Sequence, residues 1–309
     1  MSAALRRLET GSGAVPVVLL AVLGLVPLVV TRPDWLNLGV VYFLAVALAQ
    51  SWNVMGGLTG QVNLGHAAFF GLGALATRHL WAAGTPVLGA AAAGAVLASV
   101  VGLAVGLVAF RLRGAYFAVG TLALAEVLRV TVGNALPEIS TLPLGAIAGY
   151  RLAERYYAAA GLAAATTLAV AVLAGSRLGL AMKAVREDEA AAEASGVGAL
   201  GVKLAAAGVS TGLTGLAGGL FAFYQISYYP QQPFGPTFQG PVLGAALYVL
   251  LGEYLAVRWA DLHLLIFGVL FIAIVLLLPG GLVEALGRLR LLFRRLAGRP
   301  APTSAGPAS

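Results

Sequence analysis

The chain contains no cysteine, which excludes disulfides, thiolate metal sites and cysteine nucleophiles and leaves the redox compartment undetermined. Charge is scarce too: 10% of the 309 residues are Asp, Glu, Lys or Arg, roughly half the share in a soluble domain. Its two lysines, Lys183 and Lys203, are followed by Ala and Leu, so no phosphate-cradling Gly-x-x-x-x-Gly-Lys-Ser/Thr loop exists. Any linked ATP hydrolysis must therefore belong to another chain. The three histidines, His66, His79 and His263, lack metal-ligand spacing, and no Ser/His/Asp order marks a hydrolase. Neither an enzyme nor a resident metal or cofactor is expected.

What is present is apolar. Hydrophobic residues make up 60% of the chain, more than a water-soluble fold can hide, and 41 glycines fit close helix-on-helix contact in lipid. The net charge of +7 resides in short segments between apolar stretches, at Arg6, Arg7, Arg111, Arg113, Arg177, Lys183, Arg186 and Lys203 and in a run from Arg288 to Arg299. That distribution is typical of cytoplasmic anchoring residues and disfavours nucleic acid as a partner; membrane lipid is the expected surrounding.

A bilayer core about 30 Å thick takes roughly 20 apolar residues per helix. Nine runs qualify, at 14–31, 36–55, 63–81, 86–110, 116–132, 157–174, 204–228, 240–257 and 262–278. They are too long for barrel strands and lack period-2 alternation, so helix is expected. The run 14–31 reads as a retained first span, because no small-x-small cleavage pattern precedes Arg32-Pro33-Asp34. The segment 134–156, with Pro137, Pro143, Glu138, Arg151, Glu154 and Arg155, reads as an outer loop. Counting Lys and Arg places 176–203 inside. Nine true spans would then put Arg288, Arg290, Arg294, Arg295 and Arg299 outside, against the positive-inside tendency, so one span is miscounted. The expected fold is an all-α polytopic membrane protein of about 8–10 spans over residues 1–286, then a basic and finally disordered tail, 287–309.

Four features stand out. The island 176–203 reads as one short amphipathic helix, with Met182, Val185 and Ala192 near one face, Arg186, Glu187, Glu189 and Glu193 on others, and Gly196 as its stop. It is either a docking surface or an ordinary solvated loop helix. At 56–74, Gln61, Asn63 and His66 stand at the start of an apolar helix, where Gly56, Gly57, Gly60 and Gly65 permit a broken helix of the kind that lines transport pathways. The alternative is interhelical glue, with His66 neutral and hydrogen-bonded. Glu126 and Arg129, three apart, can pair along one helical face, or Arg129 can snorkel outward; Glu253 is a further interior acid of undecided role. Gly208 and Gly212, then Gly215 and Gly219, form two small-xxx-small patterns, a helix-packing signal.

The order of motifs resembles the permease family of branched-chain amino acid ABC importers, the LivM type, which includes urea and short-amide permeases. The marks are Gly60-Gln61-Val62-Asn63-Leu64-Gly65-His66-Ala67-Ala68-Phe69, then Arg111-Leu112-Arg113-Gly114-Ala115-Tyr116-Phe117 with Glu126. Ser176-Arg177-Leu178-Gly179, Ala184-Val185-Arg186-Glu187-Asp188-Glu189, Gly240-Pro241-Val242-Leu243-Gly244-Ala245 and Pro279-Gly280-Gly281-Leu282 follow. The resemblance implies that 176–203 is a cytoplasmic coupling segment seated on an ATPase, with Glu189-Ala190-Ala191 and Gly196 as a loose importer motif. Arg186, Glu187, Asp188, Glu189, Glu193 and Gly196 would make the coupling surface, and Gln61, Asn63, His66 and Glu126 would border the pathway. It further implies a second related permease, two ATP-binding subunits that hold the ATP, and an extracytoplasmic solute-binding protein, in the inner membrane of a prokaryote. Relatives carry one more apolar stretch just before Gly240, and here 228–236 takes its place. The competing reading is a stand-alone channel or secondary carrier for a small amide or amino acid, which would pass solute without partners.

Overall fold

The computed structural model describes residues 32–112, 114–135 and 149–225, together with Ile266 and Val269. The chain divides into two compact units, Met1–Ala245 and Ala246–Ser309, and all the elements below belong to the first. Every regular element among the described residues is helical. The protein is an all-α, multi-pass membrane protein. Four helical segments among the described residues are long and apolar enough to cross a bilayer: Pro33–Leu58, Val87–Ala109, Leu152–Gly175 and Ala199–Tyr224.

Helix α1 (Pro33–Asn53) opens with proline in its first turn, where the missing N–H costs nothing, and with Asp34 beside the positive end of the helix dipole. It runs into a π-helical turn, Val54–Leu58, and then breaks. Helix α2 (His66–Ala82) follows, and a tight turn with Gly84 at φ +93° leads into α3 (Val87–Ala109). Then come α4 (Ala115–Ala135), α5 (Leu152–Gly175), the short α6 (Arg177–Glu187) and α7 (Glu189–Ala194), and α8 (Ala199–Tyr224). The apolar runs 36–55, 86–110, 116–132, 157–174 and most of 204–228 and 63–81 thus fall on helices. The runs 14–31, 240–257 and 262–278, the arginine tail, Glu253 and the segment 228–236 lie outside the described residues.

Two expectations are corrected. The island 176–203 holds two short helices ahead of α8 instead of one. Asp188 adopts an extended conformation and its carboxylate accepts the Ala191 N–H at 3.0 Å, so it serves as the N-cap of α7 and interrupts the run. The segment 134–156 is also not loop throughout, since α4 continues to Ala135 and α5 begins at Leu152.

Helix α8 is the hub. It packs on α3, α2, α1 and α5, and small residues set the spacing. Gly208, Gly212 and Gly215 face α3 at Leu103, Ser99 and Ala98, and Gly219 sits between Thr77 of α2 and Ala91 of α3. On its other side, Gly218 lies against the Phe70 carbonyl of α2, and Gly73 of α2 against the Gly215 backbone. Such contacts let dispersion replace the hydrophobic effect that lipid cannot supply.

At its C-terminal end α8 meets a problem that every helix in lipid shares: its last carbonyls have no intrahelical partner. Two arginines and a tyrosine meet it. Arg78 Nη1 donates to Ala222 O at 3.3 Å and Gln225 O at 3.1 Å, Arg155 Nε donates to Phe223 O at 3.0 Å, and the Tyr150 hydroxyl donates to Tyr224 O at 3.3 Å. Arg78 and Arg155 are both almost fully buried, and cations are favoured at the negative end of a helix dipole. The Arg155 guanidinium also stacks between Tyr150, 3.7 Å from its ring centroid, and Phe223, at 4.3 Å. Arg155→Ala is expected to destabilise the protein by about 3 kcal/mol, from an uncapped buried carbonyl plus lost cation–π contact. A clear fall in detergent melting temperature checks this, and an unchanged one would reject the cap.

Candidate functional site

The break between α1 and α2 gathers polar groups that lipid cannot satisfy. Gly60, at φ +71°, turns the chain in the left-handed region. Around it, Thr59 Oγ1 donates to Met55 O at 2.6 Å, and the Gln61 N–H donates to the same carbonyl at 2.9 Å. Asn63, buried, closes the loop from inside. Its Oδ1 accepts the Gly65 N–H at 2.8 Å, its Nδ2 points to Met55 Sδ at 3.7 Å, and its carbonyl accepts from Trp52 Nε1 at 3.0 Å. Thr121 of α4 accepts the Leu64 N–H at 3.1 Å, joining a third element to the break. A narrow cavity beside it is lined by Met55, Asn63, Phe110, Phe117, Thr121 and Thr211, among others.

His66, the first residue of α2, is 7% exposed. Its Nε2 is 3.0 Å from Ser210 Oγ on α8, and Ser210 Oγ donates to Ser51 O on α1 at 2.6 Å. One imidazole therefore ties three helices together. Its Nδ1 is enclosed with no hydrogen-bond partner, and an unmet buried polar atom costs about 1–3 kcal/mol. Gln61 is half-buried, and Glu126 is exposed on α4 further along from Thr121. The side chain of Arg129 lies outside the described residues.

The island forms the second candidate surface. Ser176 caps α6 by accepting the Gly179 N–H at 3.1 Å, and Met182, Val185 and Ala192 bury one side of the α6–α7 pair. Gly196, at φ +84°, ends it. Arg186, Glu187, Asp188, Glu193 and Gly196 are exposed, and Glu189 is half-exposed. Two ties run inward from this surface. Arg186 Nη1 donates to Gly57 O, in the π-helical turn, at 2.8 Å while its Nε bonds Glu187 at 3.1 Å. Glu189 Oε2 pairs with Lys203 Nζ of α8 at 2.6 Å, where Lys203 is 7% exposed. The surface is thus fastened to both α1 and α8.

The sequence singled out Gln61, Asn63, His66 and the island but not the groups that bind them, namely Trp52, Thr121, Ser210 as the histidine's partner, and Lys203 as a buried counter-charge. Lys203 carried an available signal: a cation in an apolar helix needs a polar or acidic partner nearby. Arg78 carried the same signal.

An apolar helical bundle with a break between its first two described helices and a solvent-exposed, charged helix pair tied to two of its spans is an arrangement that suits a membrane transporter component. The chain belongs to the branched-chain amino acid transport system / permease component family, which matches residues 33–247. Among curated proteins it is similar to the high-affinity branched-chain amino acid transport system permease protein LivM of Escherichia coli (strain K12), 26% identical over 238 residues, and to its namesake in Salmonella typhimurium, 27% identical over 238 residues. Each match covers 64% of this chain and 54% of the relative, so the chain spans about half the length of the curated relatives it matches. No solved structure matches it.

Proposed function

We propose that this chain is a membrane-spanning permease subunit of an ABC importer in the cytoplasmic membrane of a prokaryote, moving branched-chain amino acids or similar small polar solutes by ATP-driven alternating access. One observation carries the reading within the family: the exposed face of α6–α7 is tied through Arg186 to Gly57 and through Glu189 to Lys203, so a push on it reaches α1 and α8 together. The face offers Arg186, Glu187, Asp188, Glu193 and Gly196 to an ATP-binding subunit. A second related permease supplies the other half of the pathway, and an extracytoplasmic binding protein delivers the solute. The ATPases close on ATP, the coupling helices move with them, and α1 and α8 shift around the break that holds Asn63 and His66. Coupling of this kind needs contacts that differ between two states.

The test is reconstitution with and without partners. Proteoliposomes holding the permease pair, both ATPases and the binding protein should accumulate leucine only with ATP inside the ATPase compartment. This chain alone should pass none. Leucine flux through the chain alone, independent of ATP, would reject the importer and favour a channel or carrier.

A further inference from the structure

The hydrogen positions around His66 follow from counting. Ser210 has one hydroxyl hydrogen, and its Oγ stands 2.6 Å from the Ser51 carbonyl, which can only accept; the hydrogen therefore goes there. The remaining contact, 3.0 Å from Ser210 Oγ to His66 Nε2, is then donated by the ring. A neutral imidazole with its hydrogen on Nε2 has a bare acceptor at Nδ1. A protonated ring would place an unpaired N–H and a charge in the same enclosure, which is costlier. Nδ1 has no donor, although the ring is more than nine-tenths buried.

Interhelical glue accounts for Nε2 and leaves Nδ1 unexplained. The donors of the neighbouring buried groups of the break point elsewhere: Thr59 Oγ1 donates to Met55 O, Thr121 Oγ1 to Ala118 O, and Asn63 Nδ2 faces Met55 Sδ. The histidine also lies where movement would reach it, bridged to α1 and α8, the two helices fastened to the α6–α7 surface. Resting on the transport reading above, we propose that His66 Nδ1 is a solute-contact atom, accepting a hydrogen bond from the N–H donor of a passing solute. A primary ammonium is the class that fits best, since a charged donor to a neutral acceptor makes the stronger bond.

Two substitutions separate this from a structural role, because the two ring nitrogens are mimicked by different amides. His66→Gln carries an amide N–H to the Nε2 position, keeping the Ser210 bond and losing the Nδ1 acceptor. His66→Asn puts an amide oxygen at the Nδ1 position and fails to reach Ser210. In the complete transporter, leucine uptake should fall at least tenfold in H66Q and be partly recovered in H66N, at matched yields of co-purified complex. The opposite order would show that His66 is glue only and would overturn the proposal. On the wild-type complex labelled with 15N-histidine, leucine with ATP should shift the His66 Nδ1 resonance upfield. A resonance that ignores leucine means that Nδ1 holds a water at most, which also overturns it. A wild-type complex that takes up none of leucine, isoleucine, valine or a small amide refutes the function and this proposal together, whereas a transporting wild type matched by H66Q refutes this proposal alone.

Discussion

Gly218→Ala is expected to prevent stable packing of α2 on α8. A β-carbon at 218 would press into the Phe70 carbonyl, with Phe70 C at 2.8 Å and Ala74 N at 3.1 Å, all of it backbone that no rotamer change can clear. The helices would have to separate, and two further links between them would go: His66 to Ser210, and Arg78 to Ala222 O. Overpacking costs about 1–3 kcal/mol, and each lost hydrogen bond adds roughly 1 kcal/mol, so about 4 kcal/mol is at stake. The control lies on the same helix. A β-carbon at Gly201 meets nothing within 4 Å, and Gly201→Ala should be neutral or stabilise by about 0.5–1 kcal/mol through backbone entropy. Gly212→Ala, where Ser99 Cβ stands at 3.4 Å, should fall between. Melting temperatures of the three variants in detergent test the order. If Gly218→Ala and Gly201→Ala melt together, close backbone contact does not set this interface.

The same glycines show where the sequence was readable. Spacing alone marked Gly208 with Gly212 and Gly215 with Gly219 as two packing patterns, and they meet α3, with Gly219 also against Thr77 of α2. The tighter contact belongs to Gly218 and Gly73, which obey no four-residue repeat with each other, because they come from different helices. Hydropathy located the long helices for a plain reason: lipid imposes length and polarity on each span separately. The Asp188 break was hidden, since Arg186-Glu187-Asp188-Glu189 is compatible with a continuous helix until the carboxylate is seen capping Ala191. His66 was visible as a polar residue at a helix start. Its bond to Ser210 spans 144 positions, and no local pattern encodes that. Arg78 and Arg155 follow the same logic, because the carbonyls they cap belong to a helix far along the chain.

On the importer reading proposed above, Glu189→Ala should uncouple transport as well as destabilise the protein, and the two effects can be separated. Lys203 Nζ lies 2.6 Å from Glu189, its side chain 7% exposed against 40% for the acid. Removing the acid leaves an ammonium in a buried place without a counter-charge, a change that costs about 3 kcal/mol, the low end for a buried pair because half of this one is wet. Removing the lysine is gentler: Lys203→Met leaves Glu189 to solvent and fills the buried space with an apolar chain of similar length. The double variant E189A/K203M should therefore recover most of the stability that E189A loses, which melting of the complex measures. Uptake should not follow. All three variants cut the Glu189–Lys203 tie between α7 and α8 and leave the Arg186 tie to α1, so under the proposed importer mechanism ATP-driven leucine uptake should fall at least tenfold in each even where stability is restored. Were the double variant to regain wild-type uptake with its stability, the pair would be a fold contact and not a transmission element. If E189A itself transports normally, the tie from α7 to α8 carries no force.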